Sequence, residues 1–371
     1  MLKRKVVILG ATGSVGQAAL SVIGKHPHQF ELLGVAANRN GTELDALAHR
    51  FNVPHTALFS KEGLDGLMRL ATLPEADLIL VATTGTIGVQ PTIAALESGK
   101  SVGLANKETL VLAGPFVMET ARQSRGTLLP VDSEHNAIFQ CLQGVGPMSR
   151  VRRIILTASG GPFLHLRPED LASVTPEQAL QHPNWSMGPK ITIDSATMAN
   201  KGLEMIEARW LFDLQADAIS VVIHPQSLIH SMVECVDGSL LAQIAPPSME
   251  FPVQHVLSYP DRLPSPLPPL DLTLLHHLDL QPPDLDRFPC LRLASEALAV
   301  GGMAPAVFNA ANSLGVEAFL ERRLAFTGIP RLIDACLSSA SFSMPASIRD
   351  LLELEHDLNG FARSQLKAFR I

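Results

Sequence analysis

Two acidic side chains stand where they could bind a divalent cation. Asp132 and Glu134 follow the largely apolar run Leu128–Val131, and residues i and i+2 of an extended chain share one side. Clustered carboxylates suit a hard cation such as Mg²⁺ or Mn²⁺. Ordinary capping of a helix that begins near Asn136 explains the same residues equally well, so the pair alone leaves both interpretations open.

A third carboxylate, Glu204, belongs to a helix predicted over Ser195–Ala208. Asn200 lies one turn from Glu204 on the same face, and Lys201 is within reach of the same edge. Gly202 costs a helix about 1 kcal/mol relative to Ala, which suggests the close approach of a ligand or a flap. The alternative is a solvated face with a Lys201–Glu204 ion pair.

A set of small polar residues predicts a pocket for a phosphate group. Ser159 lies in a glycine-rich loop after the apolar strand Ile154–Thr157. Together with Ser195, Asn200 and Lys201 it supplies hydroxyl, amide and ammonium donors, which are the groups that bind an anion. Each of these residues alone would be unremarkable.

The polar loop His182–Gly188 carries Trp185, one of two tryptophans in the chain. A lid that excludes water from a substrate explains a tryptophan there, and the alternative is a tryptophan in the domain core. His224 and His230 follow the apolar run Val221–Ile223 and could serve acid–base chemistry. For either histidine taken singly, a structural role is the simpler interpretation.

A glycine pattern near the N-terminus predicts a nucleotide site. Gly10, Gly13 and Gly16 follow the apolar strand Val6–Leu9 and open a predicted helix, where free N–H groups attract a pyrophosphate. The second strand ends without an acid but with Arg39, which pairs with a 2′-phosphate and indicates NADP(H). The alternatives are a merely tight turn and a solvent-facing arginine.

The elements that position these residues indicate an α/β protein. Strands and helices alternate over the first part of the chain, which predicts a doubly wound, Rossmann-like NADPH domain. A central α+β catalytic domain with the flap loop, a proline-rich linker and a C-terminal helical domain follow. The predicted boundaries are 1–131, 132–258, 259–290 and 291–371.

The composition narrows the class of protein. The chain has 371 residues, 46% of them hydrophobic, and a net charge of −7. An acidic chain without a Lys/Arg run predicts neither nucleic-acid nor membrane binding. The four cysteines form no zinc spacing, and no apolar run is long enough for a signal peptide or a membrane span. We therefore expect a cytoplasmic protein.

Seven motifs, in order along the chain, resemble the 1-deoxy-D-xylulose 5-phosphate reductoisomerase family. They are Gly10–Gly16, Leu104–Glu108, Pro130–Asn136, Ser159–Phe163, His182–Gly188, Asp194–Glu204 and His224–Ser231. The resemblance implies a homodimer that uses NADPH and Mg²⁺, Mn²⁺ or Co²⁺. It implies the conversion of a sugar phosphate, 1-deoxy-D-xylulose 5-phosphate, to 2-C-methyl-D-erythritol 4-phosphate in the non-mevalonate route to isoprenoids.

The resemblance also implies a role for individual residues. The implied metal ligands are Asp132, Glu134 and Glu204, which with Lys107 and His230 form the implied catalytic set. The implied substrate-binding residues are Ser133, Ser159, His182, Trp185, Ser195, Asn200 and Lys201. The implied cofactor-binding residues are Thr12, Gly13, Ser14, Val15, Asn38, Arg39, Asn40, Asn106, Glu108, Met187 and Gly188.

The sequence leaves the course of the reaction open between a retro-aldol step and a concerted shift. Asn38 departs from the glycine common in the family and puts a side chain near the ribose. Two other functions compete with the resemblance: a plain NADP-dependent dehydrogenase with a structural metal, and a non-catalytic NADPH-sensing protein.

Overall fold

The computed structural model describes residues 3–185, 187–265 and 267–369, which form two compact units. The first unit takes the described residues of Met1–Leu110, Gly114–Gln140 and Ser248–Asp271. The second takes those of Val111–Ala113, Cys141–Pro247 and Leu272–Ile371. Ser186 of the predicted flap and Pro266 of the proline-rich segment lie outside the described residues.

The strands and helices are numbered in chain order. The strands are β1 Arg4–Leu9, β2 Phe30–Ala37, β3 His55–Leu58, β4 Leu78–Val81, β5 Ser101–Leu104, β6 Thr127–Pro130, β7 Val151–Ala158, β8 Ile219–Ile223, β9 Ile229–Cys235 and β10 Leu240–Ile244. The first seven α-helices are α1 Ser14–Lys25, α2 Gly41–Phe51, α3 Phe59–Ala71, α4 Val89–Glu97, α5 Lys107–Gln123, α6 Ser133–Val145 and α7 Pro176–Ala179. The remaining α-helices are α8 Pro189–Ala196, α9 Ala199–Phe212, α10 Glu250–Ser258, α11 Pro289–Val300, α12 Ala304–Leu320, α13 Gly328–Ser339 and α14 Ile348–Leu366.

The first unit is a doubly wound α/β fold, as predicted. Its six strands are all parallel and lie in the order β3-β2-β1-β4-β5-β6. The strand order reverses between β1 and β4, and ligands of such sheets bind outside the carboxyl ends of the strands at that point. The residues after Leu9 and Val81 therefore face the expected nucleotide site.

The core of the first unit includes a helix from much later in the chain. Helix α10 contributes Val253, Val256 and Leu257 to the same buried cluster as Val6 and Ile8 of β1. Burial of these apolar side chains holds α10 in the first unit although more than a hundred residues separate it from β6. The four domain boundaries predicted from the sequence separate functions rather than compact units, and they stay a prediction.

The second unit combines a small mixed sheet with helices. Its strands lie in the order β10-β9-β7-β8, with β7 parallel to β8 and antiparallel to β9. The predicted helical C-terminal part is present as α11 to α14. Among the described residues, none of the helices combines the length and apolar character that crossing a membrane requires.

Candidate functional site

The glycine turn after β1 is shaped by its own packing at two of its three glycines. A Cβ on Gly10, which has φ +98°, would collide with the carbonyl oxygen of Ala82 at the end of β4. A Cβ on Gly16 would collide with the carbonyl oxygens of Gly10 and Ala11. These two glycines are therefore required before any ligand is considered.

Gly13 differs because the protein itself leaves space beside it. A Cβ there would approach only the carbonyl oxygen of Gly10, at 3.4 Å. No side chain caps α1 at this residue, so the positive end of the helix faces outward. A cavity of about 150 Å³ adjoins this point and is lined in part by Thr12, Gly13 and Asn38. Ser14 and Val15 are the first residues of α1.

The end of β2 presents a cationic side chain to solvent. Asn38 and Arg39 are both exposed just beyond Ala37. Asn40 caps α2, where its Oδ1 accepts from the backbone N–H of Glu43 at 3.1 Å and its Nδ2 donates to the Glu43 carboxylate at 2.8 Å. The acid nearest this corner is thus held by Asn40.

Asn106 is engaged by the protein at both ends of its amide. Its Oδ1 accepts from the backbone N–H of Thr109 at 2.9 Å and from the Thr109 hydroxyl at 2.5 Å. Its Nδ2 donates to the carbonyls of Thr83 at 2.7 Å and Gly85 at 2.6 Å. This buried side chain fixes the start of α5 against the loop after β4, and the half-buried Glu108 follows in the first turn.

Four predicted site residues of the first unit gather where β6 gives way to α6. Lys107 Nζ lies 2.6 Å from Asp132 Oδ2, and both side chains are largely buried. The hydroxyl of Ser133 donates to Glu134 Oε2 at 2.6 Å. Carboxylate oxygens of Asp132 and Glu134 lie within 4.8 Å of each other. This part of the site is a pair of half-buried acids with one buried ammonium.

Of the two interpretations that the sequence left open, the extended chain is wrong, and the helix start is present, although the helix begins at Ser133 rather than near Asn136. Helix α6 begins at Ser133, so Glu134 lies in its first turn rather than in an extended chain. The backbone N–H of Asn136 donates to the carbonyl of Asp132 at 2.8 Å, which starts the helix directly after Asp132. Asp132 lies just before the helix and Glu134 in its first turn, so the two acids do not share one side of a strand.

A neighbouring hydrogen-bond chain holds the start of α6 in place. Asn136 Nδ2 contacts the carbonyl of Pro130 at 2.9 Å and Nδ1 of His255, on α10, at 3.1 Å. Gln140 Nε2 donates to the side-chain Oδ1 of Asn136 at 2.8 Å. Burial lowers the pKa of His255 to about 4, so its ring is neutral at pH 7 and its Nδ1 can accept a hydrogen bond from the amide.

In the second unit, the predicted helix over Ser195–Ala208 is two helices. Helix α8 ends at Ala196, Met198 adopts a left-handed backbone with φ +63°, and α9 begins at Ala199. The Thr197 hydroxyl turns back to the carbonyl of Ile193 at 3.1 Å, which closes the end of α8. Ser195 therefore belongs to the last turn of α8 and not to the start of the helix that carries Glu204.

The polar edge of α9 is buried. Asn200 and Lys201 both donate to the carboxylate of Glu204, one to each oxygen. The side chains of Lys201 and Glu204 are only 4% and 1% exposed, so the solvated ion pair that the sequence left open is excluded. Buried charges are costly unless paired, and this pairing satisfies both.

Gly202 marks a contact between helices rather than a ligand. A Cβ on Gly202 would overlap the Cβ of Ala294 on α11. The two helices pack face to face at this point, and only a hydrogen fits between them. The interpretation of Gly202 as a sign of a nearby ligand or flap is therefore wrong.

His182 joins the two serines that were predicted to bind a phosphate. Its Nε2 lies 3.1 Å from Ser159 Oγ and 3.1 Å from Ser195 Oγ. Its Nδ1 accepts from the backbone N–H groups of Asn184 at 3.1 Å and Trp185 at 3.0 Å. Because Nδ1 accepts twice, the proton lies on Nε2, and burial lowers the pKa of His182 to about 4.

Trp185 of the predicted flap lies near His230. The ring centroids of Trp185 and His230 are 6.4 Å apart, with an interplanar angle of 58°. His230 is buried on β9, and burial is the main cause that lowers its pKa to about 4. Met187 is half-buried, and Gly188 is the N-cap residue just before α8, with no atom near the position of a Cβ.

His224 has a structural role. Its Nε2 accepts from the backbone N–H of Leu228 at 3.1 Å, and its Nδ1 donates to the carbonyl of Asp279 at 2.8 Å. The ring is fully buried and both nitrogens are used within the protein. The structural alternative that the sequence favoured for a single histidine is confirmed here.

Sequence reasoning missed Asp194 as an organising residue. Its carboxylate accepts from Lys190 Nζ at 2.7 Å, beside the flap, and from Asn312 Nδ2 of α12 at 2.7 Å. It adjoins Ser195 on α8, and its bond to Asn312 ties this helix to α12. A buried acid inside the motif Asp194–Glu204 was the available signal, but its partner at Asn312 is too distant in sequence to be inferred.

Models of one protein family match most of the chain. The one described as 1-deoxy-D-xylulose 5-phosphate reductoisomerase matches residues 6–63 and 57–114. The one described as 1-deoxy-D-xylulose 5-phosphate reductoisomerase C-terminal domain matches residues 128–212. A third, described as DXP reductoisomerase C-terminal domain, matches residues 244–360.

Curated relatives and solved structures agree with these matches. Proteins named 1-deoxy-D-xylulose 5-phosphate reductoisomerase include one from Nitrosomonas europaea, 48% identical over 91% of this chain and 87% of the relative, and one from Shewanella sp., 47% identical over 99% and 100%. The Zymomonas mobilis enzyme in complex with NADPH has a TM-score of 0.91 and 41% identity over 99% of this chain and 100% of that one. A DOX-P reductoisomerase in complex with NADPH, fosmidomycin and magnesium has a TM-score of 0.92 and 39% identity over 98% of each chain.

Proposed function

The chain belongs to the 1-deoxy-D-xylulose 5-phosphate reductoisomerase family, and on that premise we propose which of its residues carry out the family's reaction. It is an NADP-dependent oxidoreductase that converts 1-deoxy-D-xylulose 5-phosphate to 2-C-methyl-D-erythritol 4-phosphate with a divalent metal ion. The observation that carries the assignment of residues is the buried pairing of Glu204 with Asn200 and Lys201. This pairing supports the assignment because a carboxylate, a group that binds metal ions, lies beside an amide and an ammonium, which are groups that bind phosphate.

The first unit fits NADPH. The open space at Gly13 and the uncapped start of α1 suit a pyrophosphate, and the exposed Arg39 suits a 2′-phosphate. We propose that Thr12, Gly13, Ser14 and Val15 contact the pyrophosphate and that Asn38, Arg39 and Asn40 contact the adenosine end. Asn106, whose side chain is engaged by the protein, and Glu108, Met187 and Gly188 are proposed to line the nicotinamide end through backbone or packing contacts.

The donor set fits a hard divalent cation. We propose that Asp132, Glu134 and Glu204 are its ligands, because carboxylate oxygens are the ligands that Mg²⁺ and Mn²⁺ prefer. When bound, the metal ion polarises oxygens of the substrate and NADPH supplies a hydride. The Lys107 ammonium pairs with the Asp132 carboxylate at 2.6 Å, and the Ser133 hydroxyl orients Glu134 and is proposed to contact a substrate hydroxyl.

The second unit supplies the groups that hold the substrate's phosphate. We propose that the hydroxyls of Ser159 and Ser195 donate to it, together with the Asn200 amide and the Lys201 ammonium. The neutral His182 keeps both hydroxyls at one place through Nε2. An arriving phosphate can accept hydrogen bonds from all of these donors without a change in protonation at pH 7.

The flap separates the reacting groups from water. Trp185 lies against His230, and its backbone N–H is fixed to His182. We propose that this apolar ring covers the substrate while His230 contacts it, so that a reactive intermediate is retained until it is reduced. The direct contact of His230 with the substrate rests on the family resemblance.

We further propose that the protein is a cytoplasmic homodimer. Strand β10 is an edge strand of its sheet and exposes Leu240 and Ile244, and Val236 nearby is 64% exposed. Exposed apolar residues along a sheet edge support an interface with a second copy. The mass in solution tests this proposal, since a monomer at micromolar concentration would contradict it.

The experiment that tests the function follows the loss of NADPH absorbance with 1-deoxy-D-xylulose 5-phosphate. We expect oxidation with Mg²⁺ or Mn²⁺ and none after a chelator is added. Reduction of a preformed aldehyde without turnover of the ketose phosphate would identify a plain dehydrogenase. Tight binding of NADPH without its consumption would identify a sensor.

A further inference from the structure

One side chain fastens the flap, His182–Gly188, to a second loop. We name this loop, Pro225–Ser227, the receiving turn. Asn184 Nδ2 donates to the carbonyl of Pro225 at 2.6 Å and to the hydroxyl of Ser227 at 2.8 Å. Both N–H groups of the amide are therefore used by the receiving turn, and neither bond involves the residues proposed to bind phosphate.

The receiving turn has an uncommon backbone at the residue that meets Asn184. Ser227 has φ +53°, in the left-handed region that residues other than glycine rarely adopt. Its backbone N–H donates to the carbonyl of His224 at 3.0 Å. This conformation presents the Ser227 hydroxyl to the flap, and uncommon backbones of this kind gather at functional sites.

The proline-rich segment holds the receiving turn from the other side. The carboxylate of Asp279 accepts from Gln226 Nε2 at 2.7 Å, and its backbone N–H donates to Gln226 Oε1 at 3.2 Å. Its carbonyl accepts from His224 Nδ1 at 2.8 Å. Two residues on, Gln281 and Ile223 exchange backbone hydrogen bonds of 2.8 and 3.0 Å. The segment is thus tied to the end of β8 and to the turn.

The hydrogen bonds made by the Asn184 side chain also fix its neighbours in the flap. The backbone N–H groups of Asn184 and Trp185 both donate to Nδ1 of His182, whose Nε2 bridges Ser159 and Ser195. Trp185 in turn lies against His230. A flap fastened at Asn184 therefore holds His182 and Trp185 in register with the rest of the second unit.

We propose that Asn184 is a positioning residue that latches the flap onto the receiving turn, and that Asp279, through Gln226, keeps the turn where the latch can form. The proposal rests on the proposed function, in which the closed flap excludes water from the substrate. Loss of the latch lowers the fraction of enzyme whose flap is closed. Since only the closed form retains the intermediate, kcat/KM falls by the same factor.

The first test uses Asn184→Ala in a Trp210→Phe protein, where Trp185 is the only tryptophan. We expect stronger quenching of its fluorescence by acrylamide and a kcat/KM that is roughly tenfold lower, the effect of two lost hydrogen bonds. Gln181→Ala, at an exposed position just before the flap, is the matched control and leaves both quantities unchanged.

The second test addresses the contact between Gln226 and Asp279 that holds the receiving turn. It also guards against a misfolded variant. Gln226→Ala and Asp279→Ala should shift the quenching in the same direction by a smaller amount. Asp279→Asn keeps an acceptor for Gln226 and should restore the parent behaviour. Ser227→Ala removes one of the two acceptors of Asn184 and should give an intermediate effect, which tests the latch without changing the flap itself.

Quenching and kcat/KM of Asn184→Ala at the level of the Gln181→Ala control would overturn the proposal. Equal effects of Asp279→Asn and Asp279→Ala would overturn its second part. A protein that fails to turn over 1-deoxy-D-xylulose 5-phosphate, yet shows the quenching difference, would contradict the proposed function while supporting the latch.

Discussion

At the turn after β1, the protein offers a nucleotide little besides backbone: glycines, the uncapped start of α1 and an exposed arginine. In the second unit, by contrast, the site consists of side chains that are already bonded to one another. His182 joins Ser159 to Ser195, and Asn200 and Lys201 share Glu204. We call the first the nucleotide turn, Gly10–Gly16 with Asn38–Asn40, and the second the paired cluster.

The difference matters for how each region responds to a change. In the nucleotide turn, each residue makes its contribution separately, because few side chains there depend on one another. In the paired cluster, removal of one member leaves a buried partner without its hydrogen bond, which costs about 1–3 kcal/mol for each group. Substitutions in the cluster should therefore have larger effects than substitutions in the turn.

The largest expected effect follows from Glu204→Gln. The amide removes a negative charge from the proposed metal site and leaves Lys201 without its buried counter-ion. Loss of a metal ligand removes several kcal/mol of charge stabilisation, so kcat should fall by about a hundredfold to a thousandfold. Steady-state kinetics with saturating NADPH and Mn²⁺ measure the change, and calorimetric titration with Mn²⁺ measures the loss of metal affinity.

The comparison makes the control for this variant informative. NADPH should bind Glu204→Gln as it binds the parent, because the nucleotide turn does not contain the residue. Glu317→Gln, the same change at an exposed position of α12, should leave kcat unchanged. Near-parent activity of Glu204→Gln would show that Glu204 is not a metal ligand.

A smaller effect is expected in the nucleotide turn from Arg39→Asp. A guanidinium that pairs with a 2′-phosphate is worth about 1.5–3 kcal/mol, and a carboxylate in its place repels the phosphate. The ratio of kcat/KM for NADPH over NADH should therefore fall by roughly ten- to a hundredfold. The KM for the sugar phosphate should stay constant, because no buried partner is disturbed.

Lys61→Asp provides the matching reversal of charge at an exposed position of α3. It should leave the NADPH to NADH ratio close to that of the parent. The same ratio in Arg39→Asp as in the parent would show that Arg39 does not touch the 2′-phosphate.

The two regions also differ in how far the sequence alone could predict them. Short apolar runs such as Val6–Leu9 predict the parallel sheet, and the glycine spacing that follows predicts the turn, because both depend on neighbouring residues. The types of residue in the paired cluster were equally visible in Asn200, Lys201 and Glu204. Their burial was not, because it depends on packing against elements far along the chain.

The errors have physical causes of the same kind. Nothing local forces the left-handed backbone of Met198 that separates α8 from α9. Gly202 looks like a sign of a ligand until Ala294 is found against it. The attachment of Gln226 to Asp279 joins residues 53 positions apart. Each of these features depends on a partner that no local pattern identifies.

The smallest expected effect concerns acid stability, and it arises from the second unit. Burial lowers the pKa of His230 to about 4, whereas an imidazole in an unfolded chain has a pKa of about 6.5. Between these values the unfolded chain binds a proton that the folded chain does not. The contribution of the neutral His230 to the free energy of unfolding is therefore fully present above pH 6.5, and it is lost as the pH falls toward 4.

His230→Gln should flatten this dependence. One proton corresponds to a slope of about 1.4 kcal/mol per pH unit, so the free energy of unfolding should fall less steeply by up to that amount in the variant. Urea unfolding followed by tryptophan fluorescence measures it, since Trp185 and Trp210 both lie in the second unit. His49→Gln, at an exposed position, is the control. Parallel curves for His230→Gln and the parent would mean that His230 already binds its proton in the folded protein. The imidazole of the paired cluster is a separate case, because the two hydrogen bonds that His182 accepts still require an unprotonated Nδ1.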